Sequence, residues 1–130
     1  MSRYVLRKKD DSWERSTRGL PEHIKRIIRD KVENHIAERP YDAEELQYEM
    51  SGLWSYNKME TDSRIIYAIC EDCRKKKWTT MNGCGDCREI PDNTIMLWIF
   101  GSHSIYDQLQ MMRKKAWHKI VKQKRRERGY

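Results

Sequence analysis

All four cysteines of this 130-residue chain lie in one stretch, CEDCRKKKWTTMNGCGDC, as Cys70, Cys73, Cys84 and Cys87. Two C-x-x-C pairs separated by ten residues supply four thiolates, the donor set of a tetrahedral zinc site. Each pair lets two sulfurs converge on one tight turn, and Gly83 and Gly85 ease the second. Arg74, Lys75, Lys76, Lys77 and Arg88 are placed to offset the double negative charge of a zinc tetrathiolate. The expected cofactor is one structural Zn2+ per chain, because four protein ligands leave no position open for a reactive water. The competing readings are four free thiols or, in an exported chain, two disulfides. No βαβ pattern surrounds either pair, so a thioredoxin-like redox role is disfavoured.

A second chemistry is written in charge. Lys75, Lys76 and Lys77 run into Trp78, a combination that pairs with phosphate and stacks on a base, or that is simply solvated. Residues 113–130 hold nine Lys or Arg and one Glu, while residues 1–112 hold 18 basic and 19 acidic residues. Nearly all of the net charge of +7 therefore belongs to the tail, which opens with Arg113, Lys114 and Lys115. Such a tail neutralises phosphates and releases counterions, making nucleic acid the leading partner. A solvated tail, or one that meets an acidic protein, is the alternative.

The length suits one compact domain. Hydrophobic residues make up 38% and charged residues 36%, so the core is small and a metal staple would help it. No run approaches the roughly 18–20 apolar residues of a membrane span. The start, MSRYVLRKKDDSW, lacks the apolar region of an export signal. The expected location is therefore the cytoplasm, where thiols stay reduced.

The elements that must carry these groups follow from periodicity. Arg3–Lys8 alternates as a first strand. Asp11 or Ser12 suits a helix N-cap, and Gly19 breaks that helix. Pro21 opens a second helix, on which Ile24, Ile27, Ile28, Val32 and Ile36 form an apolar stripe until Pro40. His23 and His35 lie beside the stripe and are expected on the surface. Leu53–Lys58 and Arg64–Ile69 read as strands, and Thr94–Phe100, the most apolar run, as the central one, ended by Gly101. The cysteine stretch then becomes a zinc-clasped extension of the hairpin between Ile69 and Thr94. From Ser104, Ile105, Leu109, Met112, Ala116 and Ile120 return to helical spacing. The fold class is α+β, with helices packed on one face of a small, largely antiparallel sheet.

With the cysteine stretch set aside, three motifs stand in order: Met50-Ser51-Gly52-Leu53-Trp54-Ser55, Arg64-Ile65-Ile66-Tyr67-Ala68-Ile69 and Gly101-Ser102-His103. In type and order they resemble the RelE/ParE toxin superfamily, and most closely its YoeB-like branch of ribosome-dependent messenger RNA endonucleases, over roughly residues 3–107. The whole chain is then expected to be one RelE-like domain, residues 1–130, to which the residue readings above add a four-cysteine zinc insertion at 70–87 and a basic C-terminal helix and tail at 104–130. It implies a toxin that cleaves mRNA on the ribosome and is restrained by a cognate antitoxin. Carried over by position, the general base falls on Glu44 (with Glu45 adjacent), the phosphate-binding Arg on Arg64, the C-terminal His on His103 and the aromatic residue after it on Tyr106. Where the family has two basic residues after its W-S pair, this chain has Tyr56 and Asn57, with Lys58 the nearest cation. The zinc insertion and the basic helix are additions to the minimal fold.

The chemistry agrees with those roles. RNA cleavage by its own 2′-OH needs a base, a cation at the phosphorane and an acid for the leaving oxygen, and it requires no metal. Each residue also has an ordinary reading: Glu44 as a solvated carboxylate, Arg64 in an ion pair, His103 as a helix cap, Tyr106 as core. At the level of function the rivals are a non-catalytic RNA- or ribosome-binding zinc module and a ParE-type gyrase inhibitor. The latter branch generally lacks the Glu-Arg-His set.

Overall fold

The computed structural model describes residues 3–47, 50–59, 62–75, 87–102 and 104–111. Five strands form one sheet: β1 (Val5–Lys8), β2 (Glu44–Glu45), β3 (Trp54–Tyr56), β4 (Ser63–Ile69) and β5 (Thr94–Ser102), in the order β1-β5-β4-β3-β2. Only β1 on β5 is parallel; the other three pairings are antiparallel. The sheet is thus mostly antiparallel and the class α+β, as expected. The most apolar strand is not the middle one. β4 holds that place, because β1 covers the outer edge of β5. Both strands are nonetheless interior, which is why each reads as a continuous apolar run.

Two helices follow β1. Helix α1 (Asp11–Thr17) is capped by Asp10, whose carboxylate accepts from the Ser12 amide at 2.8 Å. The cap lies one residue ahead of the expected Asp11 or Ser12, because those two already have helical geometry. Helix α2 (Glu22–Lys31) starts directly after Pro21, then widens into a π turn over Val32–Ile36. Ile28, Val32 and Ile36, four residues apart, are buried, while Ile27 is 38% exposed. His23 and His35 are exposed, as expected.

The sheet has two covered faces. On the first, Trp13, Ile28, Val32 and Ile36 meet Trp54, Tyr56, Ile65, Tyr67, Ile69, Ile95 and Leu97. On the second, Leu46, Leu53, Ile66, Ala68, Met96, Trp98 and Ile99 meet Ile105 and Leu109 of a further helix, α4 (105–111). The expectation of helices on one face is corrected: α4 crosses to the other. A bulge makes the second face thicker. Between Ile66 and Tyr67 of β4, β5 advances from Ile99 to Leu97, leaving Trp98 as the extra residue. Trp98 and its neighbour Ile99 therefore both enter the second core. Burying each such side chain is worth about 1.5–3 kcal/mol.

The connection after β4 also departs from expectation. The strand ends at Ile69 and β5 starts at Thr94, as the sequence suggests. Yet the chain passes straight into helix α3 (Cys70–Lys75) rather than prolonging a hairpin.

Candidate active site

The sheet register sorts the residues singled out in the sequence. Directly opposed residues on neighbouring strands share a face. Glu44 of β2 opposes Ser55 of β3, Ser55 opposes Ile66 of β4, and Ile66 opposes Ile99 of β5. Ile66 and Ile99 belong to the second core, beneath α4. Two residues before Ile66, Arg64 opposes Gly101 and lies on the same face. Glu44, Ser55 and Arg64 thus project toward the side of the sheet that carries α4, away from α1 and α2.

Local structure places each of them. Glu44 owes its position to β2, a two-residue strand drawn against β3 by the turn that follows. In that turn the Leu53 amide bonds the Met50 carbonyl at 3.2 Å, and the Leu46 amide bonds the Leu53 carbonyl at 3.0 Å. Gly52 sits there at φ 88°, a backbone region that costs a side-chain-bearing residue roughly 1–2 kcal/mol. The glycine of the S-G turn is thus a geometric requirement for presenting Glu44, which stays exposed.

Arg64 is half-buried. Its Nε is shielded from solvent and makes no hydrogen bond, and no ion pair holds its guanidinium among the described residues. The ordinary reading of an Arg neutralised by an acidic neighbour is therefore not met there. A planar, permanently charged fork fixed in a sheet is matched to a phosphate.

Tyr106 reaches the same face from α4. The helix can lie this close because residue 101 has no side chain: a Cβ on Gly101 would stand 2.3 Å from Ile105 Cγ2. Ser102 Oγ and Ser104 Oγ, 2.9 Å apart, brace the turn into α4. Within the first turn of the helix, the Tyr106 hydroxyl lies 2.9 Å from Ser55 Oγ. His103, between the two serines, lies outside the described residues. So do Lys76, Lys77, Trp78, Cys84, Arg113, Lys114 and Lys115. Lys58 is exposed and paired with Asp42 at 3.6 Å, and Lys75 is exposed at the end of α3.

The architecture has a solved counterpart. A chain of the RelBE2 toxin–antitoxin complex from Mycobacterium tuberculosis matches this one with a TM-score of 0.55, over 80% of this chain and 95% of that chain. The fold is RelE-like. Sequence identity is 16%, so the likeness is one of fold. No family model and no curated protein matches the sequence.

On this RelE-like sheet, α3 is where the cysteine stretch attaches. Cys70 and Cys73 lie one helical turn apart and are both buried. Spacing of i, i+3 brings two thiols to one side of a helix, as a shared metal ion requires. Cys87 begins the short turn Cys87–Glu89. Among the described residues no group of three or more potential ligands gathers, since the second pair is not included there in full. Helix α3 is firmly tied down. Glu71 accepts from the hydroxyls of Tyr4 (3.0 Å) and Tyr41 (2.6 Å). Burial first, then the Glu71 carboxylate, pushes both phenols above their ordinary value. Buried Asp72 accepts from Trp54 Nε1 at 3.1 Å, and Arg74 bonds Asp92 and the Ile90 carbonyl.

Two residues of the site escape a reading from sequence. Ser55 looks like a polar residue on a half-exposed strand, yet it is fully buried. Gly101 looks like a strand terminator, yet the strand runs through it to Ser102. The available signal for Ser55 is its place between two aromatics, Trp54 and Tyr56, that face the opposite core.

Proposed function

We propose that this chain is the toxin of a toxin–antitoxin pair and acts as an endoribonuclease on messenger RNA at the ribosome. The observation that carries this reading is that Glu44, Arg64 and Tyr106 share one face of a RelE-like sheet. In this mechanism Glu44 removes the proton from a ribose 2′-OH. The alkoxide attacks the adjacent phosphate, and Arg64 neutralises the charge that develops on the phosphorane oxygens. His103 gives a proton to the departing 5′-oxygen. Tyr106 lines the site and orients the phosphate. The base and the acid each contribute on the order of 10² to 10⁴-fold. The products are a 2′,3′-cyclic phosphate, or the 3′-phosphate derived from it, and a 5′-hydroxyl.

Around this centre, Lys58, the Lys75–Trp78 run and the basic tail from Arg113 to Lys115 provide phosphate contacts that hold the RNA without reading its sequence. Cys70, Cys73, Cys84 and Cys87 hold a structural Zn2+ that fixes the loop carrying Lys75–Trp78. A small cognate antitoxin covers the active face and keeps the enzyme silent.

The test is RNA cleavage by purified protein in a translation extract. Wild type cuts message; Glu44→Ala and His103→Ala bind ribosomes but do not cut. Binding by wild type with no cutting leaves a non-catalytic RNA-binding module. Blocked DNA supercoiling by gyrase in place of RNA cleavage makes the chain a ParE-type toxin.

A further inference from the structure

We propose that Ser55 is a positioning residue for Tyr106, and that this serine–tyrosine pair fixes the phenol over the face that holds Arg64 and Glu44. The proposal rests on the nuclease reading for its catalytic consequence and on geometry alone for the pair itself.

Ser55 is 0% exposed, in the middle of β3. Its flanking residues Trp54 and Tyr56 point into the first core, so Ser55 is the one β3 side chain directed at the second face. The buried core on that face is apolar: Leu53 and Leu46 beside it, Ile66 across the ladder, and Ile105 and Leu109 above. A hydroxyl in such surroundings is costly unless it is hydrogen-bonded, and an alanine or valine would serve packing better. Among the described residues its hydroxyl pairs with the Tyr106 hydroxyl at 2.9 Å, 51 residues away in the chain. A departure from apolar packing that is repaired by a contact to a candidate site residue is the pattern of a functional constraint.

Tyr106 benefits from this contact. It sits in the first turn of α4, a helix that begins three residues after β5 and packs through Ile105 and Leu109. Those two side chains fix how deep the helix lies. The bond to Ser55 restrains the Tyr106 ring and ties α4 to the middle of the sheet. The same serine directly opposes Glu44 on β2, so one residue fixes the phenol and adjoins the carboxylate. Loss of the Ser55 hydroxyl leaves every reacting group present and one of them loosely aimed. Misplacement of that kind costs turnover far more than binding.

The experiment compares wild type, Ser55→Ala, Ser55→Thr, Tyr106→Phe and the Ser55→Ala/Tyr106→Phe double variant, as full-length chains on ribosome-bound message. Alanine fills a serine cavity closely, so the fold survives. Ser55→Ala is expected to lower kcat on the order of ten- to a hundredfold with KM changed by less than about twofold. Ser55→Thr, which keeps the hydroxyl, recovers most of the rate, and the double variant is no slower than Tyr106→Phe alone. Full activity in Ser55→Ala, or losses that multiply in the double variant, would overturn the proposal. The pair is read separately by the 13Cζ resonance of Tyr106 in selectively labelled protein, which does not depend on catalysis. A shift between wild type and Ser55→Ala supports the pair even where no RNA is cut; an unmoved resonance overturns it. Wild type that never cuts, with the resonance shifted, sinks the nuclease reading and leaves the pair standing.

Discussion

At the scale of single residues, the proposed mechanism separates groups that react from groups that aim. Glu44 is exposed on an edge strand, where a substrate hydroxyl can reach it. Arg64 is held within the sheet with its Nε shielded from water and, among the described residues, unbonded. In the proposed mechanism the planar guanidinium of Arg64 meets a phosphate oxygen. Arg64→Lys retains the charge but loses the fork, and a lysine is a compact, more strongly hydrated cation. We expect it to behave nearly like Arg64→Ala, with cleavage down by on the order of a hundredfold, corresponding to about 2.7 kcal/mol of lost transition-state stabilisation. Single-turnover cleavage of bound message checks this; a lysine variant as fast as wild type would mean that only the charge matters.

At the scale of elements, the strands and helices were legible wherever their apolar pattern was long. Arg64–Ile69 and Thr94–Phe100 fall within observed strands because both faces of the sheet are covered. Ile105 and Leu109 are buried where their spacing puts them. What stayed hidden is what periodicity does not encode. β2 is two exposed glutamates, residues with no strand signal, held in the ladder by the turn at Gly52. The π turn after Lys31 leaves no mark in the apolar spacing, with Ile28, Val32 and Ile36 four residues apart. Side-chain apolarity also does not tell which face α4 will cover; its close seating there needs the missing side chain at Gly101. Its Cβ-less surface gives the clearest prediction for an element. In Gly101→Ala the new methyl meets Ile105, so α4 must lift or Ile105 must leave its rotamer. The expected loss is about 1–3 kcal/mol, together with the bond between Tyr106 and Ser55, and urea denaturation reads the first part. An unchanged midpoint would mean that α4 is not seated on β5.

The helix α1 cap adds a pH dependence. Burial opposes ionisation of Asp10, but hydrogen bonds from the Ser12 amide and from Lys9 outweigh it and bring its carboxyl down to about 2. Because the folded value lies below the unfolded one of about 3.9, the cap's contribution is whole above about pH 4. It is lost as pH falls through about 2. Asp10→Asn keeps an acceptor without a titrating charge, so its melting temperature should fall less steeply than that of wild type between about pH 4 and pH 2. Parallel curves would show that the cap carries no ionic component. Asp10→Ala should cost about 1 kcal/mol at neutral pH.

At the scale of the whole molecule, a RelE-like sheet carries α1 and α2 on one face, and α4 with Glu44, Arg64 and Tyr106 on the other. The cysteine helix α3 is tied to the frame through Glu71 and Asp72. Metal binding at Cys70 and Cys73 would therefore act on the frame rather than on the reacting groups. Native protein is expected to contain one zinc per chain by elemental analysis. Chelation should lower thermal stability without changing the position of cleavage in a message; folded, zinc-free protein with four titratable thiols would remove the metal. The resemblance pointed to Glu44, Arg64 and Tyr106; it included Ser55 in a motif without giving it a role, because the contact with Tyr106 exists only once α4 is folded onto β3. The most direct measurement is the chemistry of the cut ends. Message cleaved in a translation extract should carry 2′,3′-cyclic phosphate or 3′-phosphate ends and 5′-hydroxyl ends, and a 2′-O-methyl group at the cut nucleotide should stop the reaction. Ends with 5′-phosphate and 3′-hydroxyl, or cleavage that ignores the 2′-O-methyl group, would contradict attack by the RNA's own 2′-oxygen at Glu44 and Arg64.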